Sequence, residues 1–230
     1  MKKMLIMVLL MVSTTAGVVA EEGFKDRPIT NNVMMPTGFT MNKNEFSIGL
    51  GSIRYGLTNN VELGTNVLLY LFQVYNGDLK IGLVKSESMG LAAGIDFAYF
   101  NLKVFEADSN FTSFSPYVTI SPKISEKTTL HLGGRYSVFS GDDDIEDAEA
   151  SSTSKGTSFS VGLEYSLSHK TKFLTEGGYD FTFKGFRLGG AVLFGWEKFR
   201  LKLGVTYFDP ENMSGFTFPV IGLWWRFNGL

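Results

Sequence analysis

Cysteine is absent from the 230 residues of the chain. There is therefore no disulfide framework, no thiolate metal site and no N-terminal cysteine to carry a lipid. Small secreted proteins usually need such staples, but a chain of about 200 residues buries enough surface to fold without them. Histidine is scarce, with only His131 and His169. Positive charge is not in excess either, with 21 Lys and Arg against 23 Asp and Glu. Such a balance holds few phosphates, so nucleic acid is not an expected partner. Long apolar runs are missing after the N-terminus, where the longest strictly apolar stretch is Val67 to Phe72. A spanning helix needs about 20 apolar residues, so none is expected beyond that point.

The N-terminus itself is apolar. Met1-Lys2-Lys3 precedes a run from Met4 to Val12, and small and polar residues follow up to Val18-Val19-Ala20. A basic start, a short apolar stretch and a small-residue site make a secretory signal peptide, expected to be cut after Ala20. Its loss removes Lys2 and Lys3 and leaves 19 basic against 23 acidic residues, a net charge near −4.

What remains is rich in Phe (21), Tyr (9) and Gly (26), and it alternates. Phe159, Val161, Leu163, Tyr165 and Leu167 are interleaved with Ser158, Ser160, Gly162, Glu164 and Ser166. Phe199, Leu201, Leu203, Val205 and Tyr207 are interleaved with Arg200, Lys202, Gly204 and Thr206. Period-two patterns of this kind predict strands with one apolar and one polar face. They recur near residues 45–51, 61–71, 78–83, 91–99, 114–120, 130–138, 158–167, 173–183, 187–196, 199–207 and 216–227. Many reach the ~9–11 residues that cross a bilayer at a tilt. A membrane chain without spanning helices must be a closed barrel, because every backbone polar group needs a partner in lipid.

Connections alternate in length. Short ones fall near Gly56–Asn60, Lys85–Ser88, Ser121–Lys127, Ser168–Lys170 and Trp196–Lys198. Between them lie Gln73–Asn76, Asn101–Thr112, Gly141–Gly156, Lys184-Gly185 and Asp209–Gly215, which include the longest ones. With the longer set on one side, the strand at 45–51 needs a predecessor, and Asn32–Thr40 is the only candidate despite Pro36. The expected fold is all-β: a closed antiparallel up-and-down transmembrane β-barrel of about twelve strands, with ten as the alternative.

The face carrying Glu62, Lys80, Asp96, Arg135, Glu164, Glu176, Asp180, Arg187 and Lys202 also holds most of the strand glycines. By parity Glu45, Asp78 and Arg200 join it. Recurrent glycine weakens a strand facing bulk water and brings no packing gain. In a narrow lumen it makes room, and charges of both signs pair across the space. This face is therefore assigned to the lumen, and the nine residues are the expected lumen lining. Aromatics gather near strand ends, among them Tyr55, Tyr70, Phe72, Tyr75, Tyr99, Phe181, Trp196, Phe199, Tyr207, Trp224, Trp225 and Phe227, as an interfacial belt would require.

Over residues 30–230 this pattern resembles the small, single-chain outer-membrane β-barrel proteins of Gram-negative bacteria. Pro36-Thr37-Gly38, Asn44 to Leu50 and Tyr55 to Asn66 are similar to the opening of a group of such barrels. The resemblance implies the cell outer membrane as location, with outer-membrane lipids and the barrel-assembly machinery as partners. That machinery reads a terminal aromatic, whereas here Phe227 precedes Asn228-Gly229-Leu230. The implied organisation is a leader at 1–20 and a barrel at 21–230, in which 21–30 is an N-terminal periplasmic extension.

No serine motif accompanies either histidine, and the topology puts both toward the short turns. Outer-membrane hydrolases resemble one another in placing such groups near the external rim, so a structural role is expected. Asp142 to Glu149 is the densest charge run. Counting from Asp142, it lacks glycine at the sixth position and glutamate at the twelfth of a calcium loop, so it is read as a solvated external loop. No cofactor, metal or enzymatic activity is expected. The expected function is a narrow small-solute channel or a structural barrel. A secreted soluble β-barrel binding an apolar ligand, and an outer-membrane enzyme acting on lipid or peptide, are the alternatives.

Overall fold

The computed structural model of the protein describes residues 28–101, 108–145, 148–211 and 214–227, so the leader at 1–20 lies outside the described residues. Twelve antiparallel strands close into one up-and-down barrel, each bonded to its sequence neighbours and the last to the first. They are β1 Phe46–Gly49, β2 Ser52–Gly56, β3 Val61–Asn66, β4 Val74–Lys85, β5 Met89–Asn101, β6 Asp108–Pro122, β7 Thr128–Ile145, β8 Ala148–Ser168, β9 Thr171–Asp180, β10 Gly185–Gly195, β11 Phe199–Asp209 and β12 Phe216–Phe227.

The alternation sorts side chains to the two sides of this wall. Leu83, Val118, Leu188, Val205 and Ile221 are exposed on the outside, whereas Glu62, Lys80, His131 and Arg200 are buried inside. An apolar exterior around buried charges inverts the soluble pattern and is the arrangement of a transmembrane barrel.

The first strands depart from the sequence expectation. Asn32–Thr40 is not a wall strand; it lies inside the lumen. The missing member is β2, because Leu50 and Gly51 form a tight turn between β1 and β2. Gly51 sits at φ 90, where a side chain would be strained. Residues 45–51 are therefore not one strand, and β1 begins at the short-turn end. Phe46 pairs there with Phe227, so the first and last strands meet at that end.

Two further differences lie at the opposite rim. The strand expected over Val61 to Leu71 stops at Asn66, whose side-chain oxygen accepts from the Leu68 amide at 3.2 Å and starts a helical turn, α1 Val67–Tyr70. Its run of apolar residues has no polar face to turn inward, so it leaves the wall. Gly141–Gly156 is not a loop either. The backbone of β7 continues to Ile145 and that of β8 resumes at Ala148, while β6 starts at Asp108. These strands rise past β9, which pairs with β8 only from Ser158 onward. Alternation identifies a strand only where one face must be buried, and the run from Asp142 to Glu149 carries no such pattern.

Aromatic rings form a chain at the short-turn end: Phe194 to Trp196 at 6.4 Å, Trp196 to Phe199 at 5.4 Å and Phe199 to Trp225 at 5.1 Å. Near the other end Tyr70, Tyr75 and Tyr99 do the same, with centroids 5.9 and 6.4 Å apart. Trp224 does not join the belt. It faces inward and packs against the core.

Val205 points outward near the middle of β11 and is 57% exposed. Val205→Arg should lower unfolding free energy in lipid vesicles by about 2–4 kcal/mol, the depth-dependent cost of a midplane charge. Urea titration followed by tryptophan fluorescence measures it.

Candidate functional site in the barrel lumen

Residues 28–45 turn back into the barrel from the short-turn end. They fold as a compact hairpin in which the Asn32 amide donates to the Met35 carbonyl at 2.9 Å and the Thr37 amide to the Thr30 carbonyl at 3.0 Å. Residues 28–30, at the end of the expected periplasmic extension, belong to it: Ile29 is buried, and the Pro28 carbonyl accepts from Arg226 at 3.0 Å. Ile29 and Val33 make a small apolar core with Leu174, Ala191 and Leu193 of the wall.

A segment inside a barrel has no sheet edge to join, so its backbone must find other partners. The lumen's charged side chains supply them. Glu176 Oε2 accepts from the amides of Met34 and Met35, both at 2.8 Å. Glu62 Oε2 accepts from the Met41 amide at 2.9 Å. Lys202 Nζ donates to the carbonyls of Asn32 and Val33 at 2.7 and 2.9 Å. Lys80 Nζ donates to those of Thr30 and Phe39 at 2.7 and 3.1 Å. Each is a charge-assisted bond in a shielded site, worth more than an ordinary hydrogen bond.

The remaining lumen charges pair with one another. Arg54 bridges Glu62 at 2.5 Å and Asp78 at 3.0 Å. Arg135 meets Asp96 at 2.6 Å and lies over the Tyr117 ring. Arg187 meets Glu176 at 3.0 Å, and Arg226 meets Glu45 at 2.8 Å. Lys172 bonds Glu164. Of the nine residues expected to line the lumen, Glu62, Lys80, Glu164 and Glu176 are buried, and Asp96, Arg135, Asp180, Arg187 and Lys202 border cavities. The structure does not place them in one site. Glu62, Lys80, Glu176 and Lys202 hold the inserted segment, while Asp96, Arg135 and Asp180 stand above its tip.

Sequence reasoning did not find Arg54, Lys172 or Arg226. Arg54 belongs to the unrecognised β2, and its parity becomes readable once Gly51 is taken as a turn. Arg226 sits in the strand of ambiguous parity. Lys172 shares the parity of Glu176, four residues on, and the wall pattern would have shown it had β9 been started one residue earlier.

Lumen glycines mark where the inserted chain presses on the wall. Gly38 and Gly90 lie back to back, and a Cβ on Gly90 would fall 2.6 Å from the Gly38 carbonyl oxygen. A Cβ on Gly162 would strike the Asn32 side-chain amide. The space that glycine leaves is occupied by the inserted segment, through backbone at Gly90 and through a side chain at Gly162.

One further group was not legible in sequence. Ser121 Oγ lies 2.7 Å from His131 Nδ1, and His131 Nε2 lies 3.5 Å from Glu164 Oε2. Serine, histidine and glutamate in that order are the parts of a hydrolytic triad. Here Ser121 is buried and its oxygen already accepts from the Gly38 amide at 2.7 Å. Ser121 itself lies in the β5–β6 ladder opposite Gly90. The group instead fastens the inserted segment to the wall. His169 is exposed in its turn, and no metal-ligating cluster occurs among the described residues. The side chains of Asp142 to Ala150 lie outside the described residues.

Two predictions follow from these contacts. Arg54→Met strands Glu62 and Asp78 in the wall and should cost about 3–5 kcal/mol of stability, as breaking a buried pair does; urea unfolding in micelles measures it. Glu176→Ala removes the acceptor of two amides, and hydrogen exchange at Met34 and Met35 should accelerate about tenfold or more.

No family model and no curated protein matches this sequence. Solved structures do. The NanC porin aligns with TM-score 0.50 at 11% identity over 78% of this chain and 95% of that one. The KdgM porin, solved in complex with disordered oligogalacturonate, aligns with TM-score 0.48 at 10% identity over 80% and 96%. OmpT lacking loop L8, an outer membrane protein of Vibrio cholerae, aligns with TM-score 0.43 at 16% identity over 76% and 62%. At these identities the likeness is one of fold. The structural neighbours of this chain are Gram-negative outer-membrane β-barrel proteins.

Proposed function

We propose that this chain is a non-enzymatic outer-membrane β-barrel that serves as a narrow channel for small solutes and is held closed by its own N-terminal segment. The observation that carries the reading is the hairpin of residues 28–45, fixed inside the lumen by Glu62, Lys80, Glu176 and Lys202. Twelve strands enclose an interior wider than side chains alone fill, and it is a separate segment of chain that occupies it. The insert joins no wall strand through a β-ladder, and its polar ties to the wall run largely through side chains. Such ties break without disturbing the barrel ladder.

The apolar belt suits lipid, and the two aromatic girdles suit its interfaces. Phe227, outward at the end of β12, is the aromatic that the assembly machinery would read. Nucleic acid has no place among the partners, for the charge reason given above. Ser121 is buried and accepts from the Gly38 amide, which favours a barrel without catalysis.

Planar bilayer recordings test the reading. The intact chain should be silent at rest, and a variant lacking residues 28–44 should give discrete conductance steps. Thr40 lies beside Gly82, where a Cβ would be 3.4 Å from Thr40 Cγ2. Oxidised Thr40→Cys/Gly82→Cys should abolish any residual openings, and reduction should restore them. A heat-modifiable, folded deletion variant that stays silent would instead make this a structural barrel. Steady conductance by the intact chain would refute the closed state.

A further inference from the structure

We infer that the lumen above the inserted segment is a binding chamber for a small neutral polyol of monosaccharide size. The inference rests on the closed state, because Met34, Met35 and Pro36 form the chamber floor.

The cavity between this floor and strands β6 to β10 has a volume of about 300 Å³, at the small end of the range for ligand pockets. Its wall is unusual for strands. Ser113, Ser115, Ser137, Ser158 and Ser160 face inward on three neighbouring strands, with Thr119 below them. Lower in the barrel, the space at inward Gly82, Gly90 and Gly162 is filled by the inserted segment. Here the residues are again small, but none of the described residues fills the space they leave, and they carry hydroxyls. Each hydroxyl is both donor and acceptor, which is what a polyol offers in return.

The charges around the cavity are already engaged. Arg187 is bound to Glu176 at 3.0 Å and Arg135 to Asp96 at 2.6 Å. Asp180 accepts from the amides of Thr182 and Phe183 at 2.8 and 3.1 Å. An ion entering the chamber would have to break one of these pairs, whereas a neutral ligand leaves them whole. Two polar groups on the wall lack a partner. Thr119 is 2% exposed and its Oγ1 makes no hydrogen bond, and the same holds for buried Arg187 Nε. Leaving such groups without a partner is costly, and both residues border the chamber, so a ligand hydroxyl that reaches either one supplies the missing bond.

Saturation-transfer NMR on the full chain in detergent micelles tests this, with D-glucose, sodium D-glucuronate and sucrose as probes. Transfer to glucose is expected, with weaker transfer to glucuronate and little to the larger sucrose. Thr119→Val should weaken glucose binding about tenfold, the effect of one buried hydrogen bond. Ser115→Val/Ser137→Val should abolish it, while heat-modifiable gel migration shows that both variants fold. If the double variant fails to fold, Thr119→Val alone decides. Transfer to none of the probes, or glucuronate bound more tightly than glucose, overturns the inference. So does glucose binding unchanged in the folded variants. Because the readout needs no transport, a conducting intact chain that still binds glucose would refute the closed state and not the chamber.

Discussion

The structure depends on one constraint: a backbone buried without a strand partner must still satisfy its amides and carbonyls. Residues 28–45 are inside a wall whose own hydrogen bonds are complete. The lumen therefore has to provide acceptors for amides and donors for carbonyls at fixed places. Glu176 and Glu62 do the first, Lys202 and Lys80 the second. These charges would be costly to bury alone. Each is held by the backbone it serves, by an opposite charge such as Arg54 or Arg187, or by both. The wall and its insert thus stabilise one another.

Wall geometry supplies the places. Closure of twelve strands leaves an interior wider than side chains alone would fill and narrower than an open porin. The glycines at 90 and 162 let the inserted segment approach the wall. Above its tip the serines of β6, β7 and β8 keep the lumen open and polar. The Ser121, His131 and Glu164 group is a fastening, since Ser121 is capped by Gly38.

The short strands β1 and β2 show why direction was harder to read than number. Gly51 turns the chain after four strand residues, too few for alternation to reveal two strands. Reading them as one made Asn32–Thr40 the apparent first strand, although Pro36 and its weak alternation fit a wall poorly. At the opposite rim the ends of β7 and β8 read as a loop because the acidic run there shows no period of two.

The sequence by itself determined the closed barrel of about twelve strands and the strand faces that carry most of its charges. These follow from local periodicity, since in a strand a residue's side is decided by its parity. Only the tertiary structure decided what those charges are for. Whether Lys80 meets an acid or a carbonyl depends on a segment fifty residues away in the chain, and Glu176 meets amides more than one hundred and forty residues away. No period in the sequence records such contacts, because they arise from how the N-terminal hairpin seats in a cavity that exists only once the wall has closed.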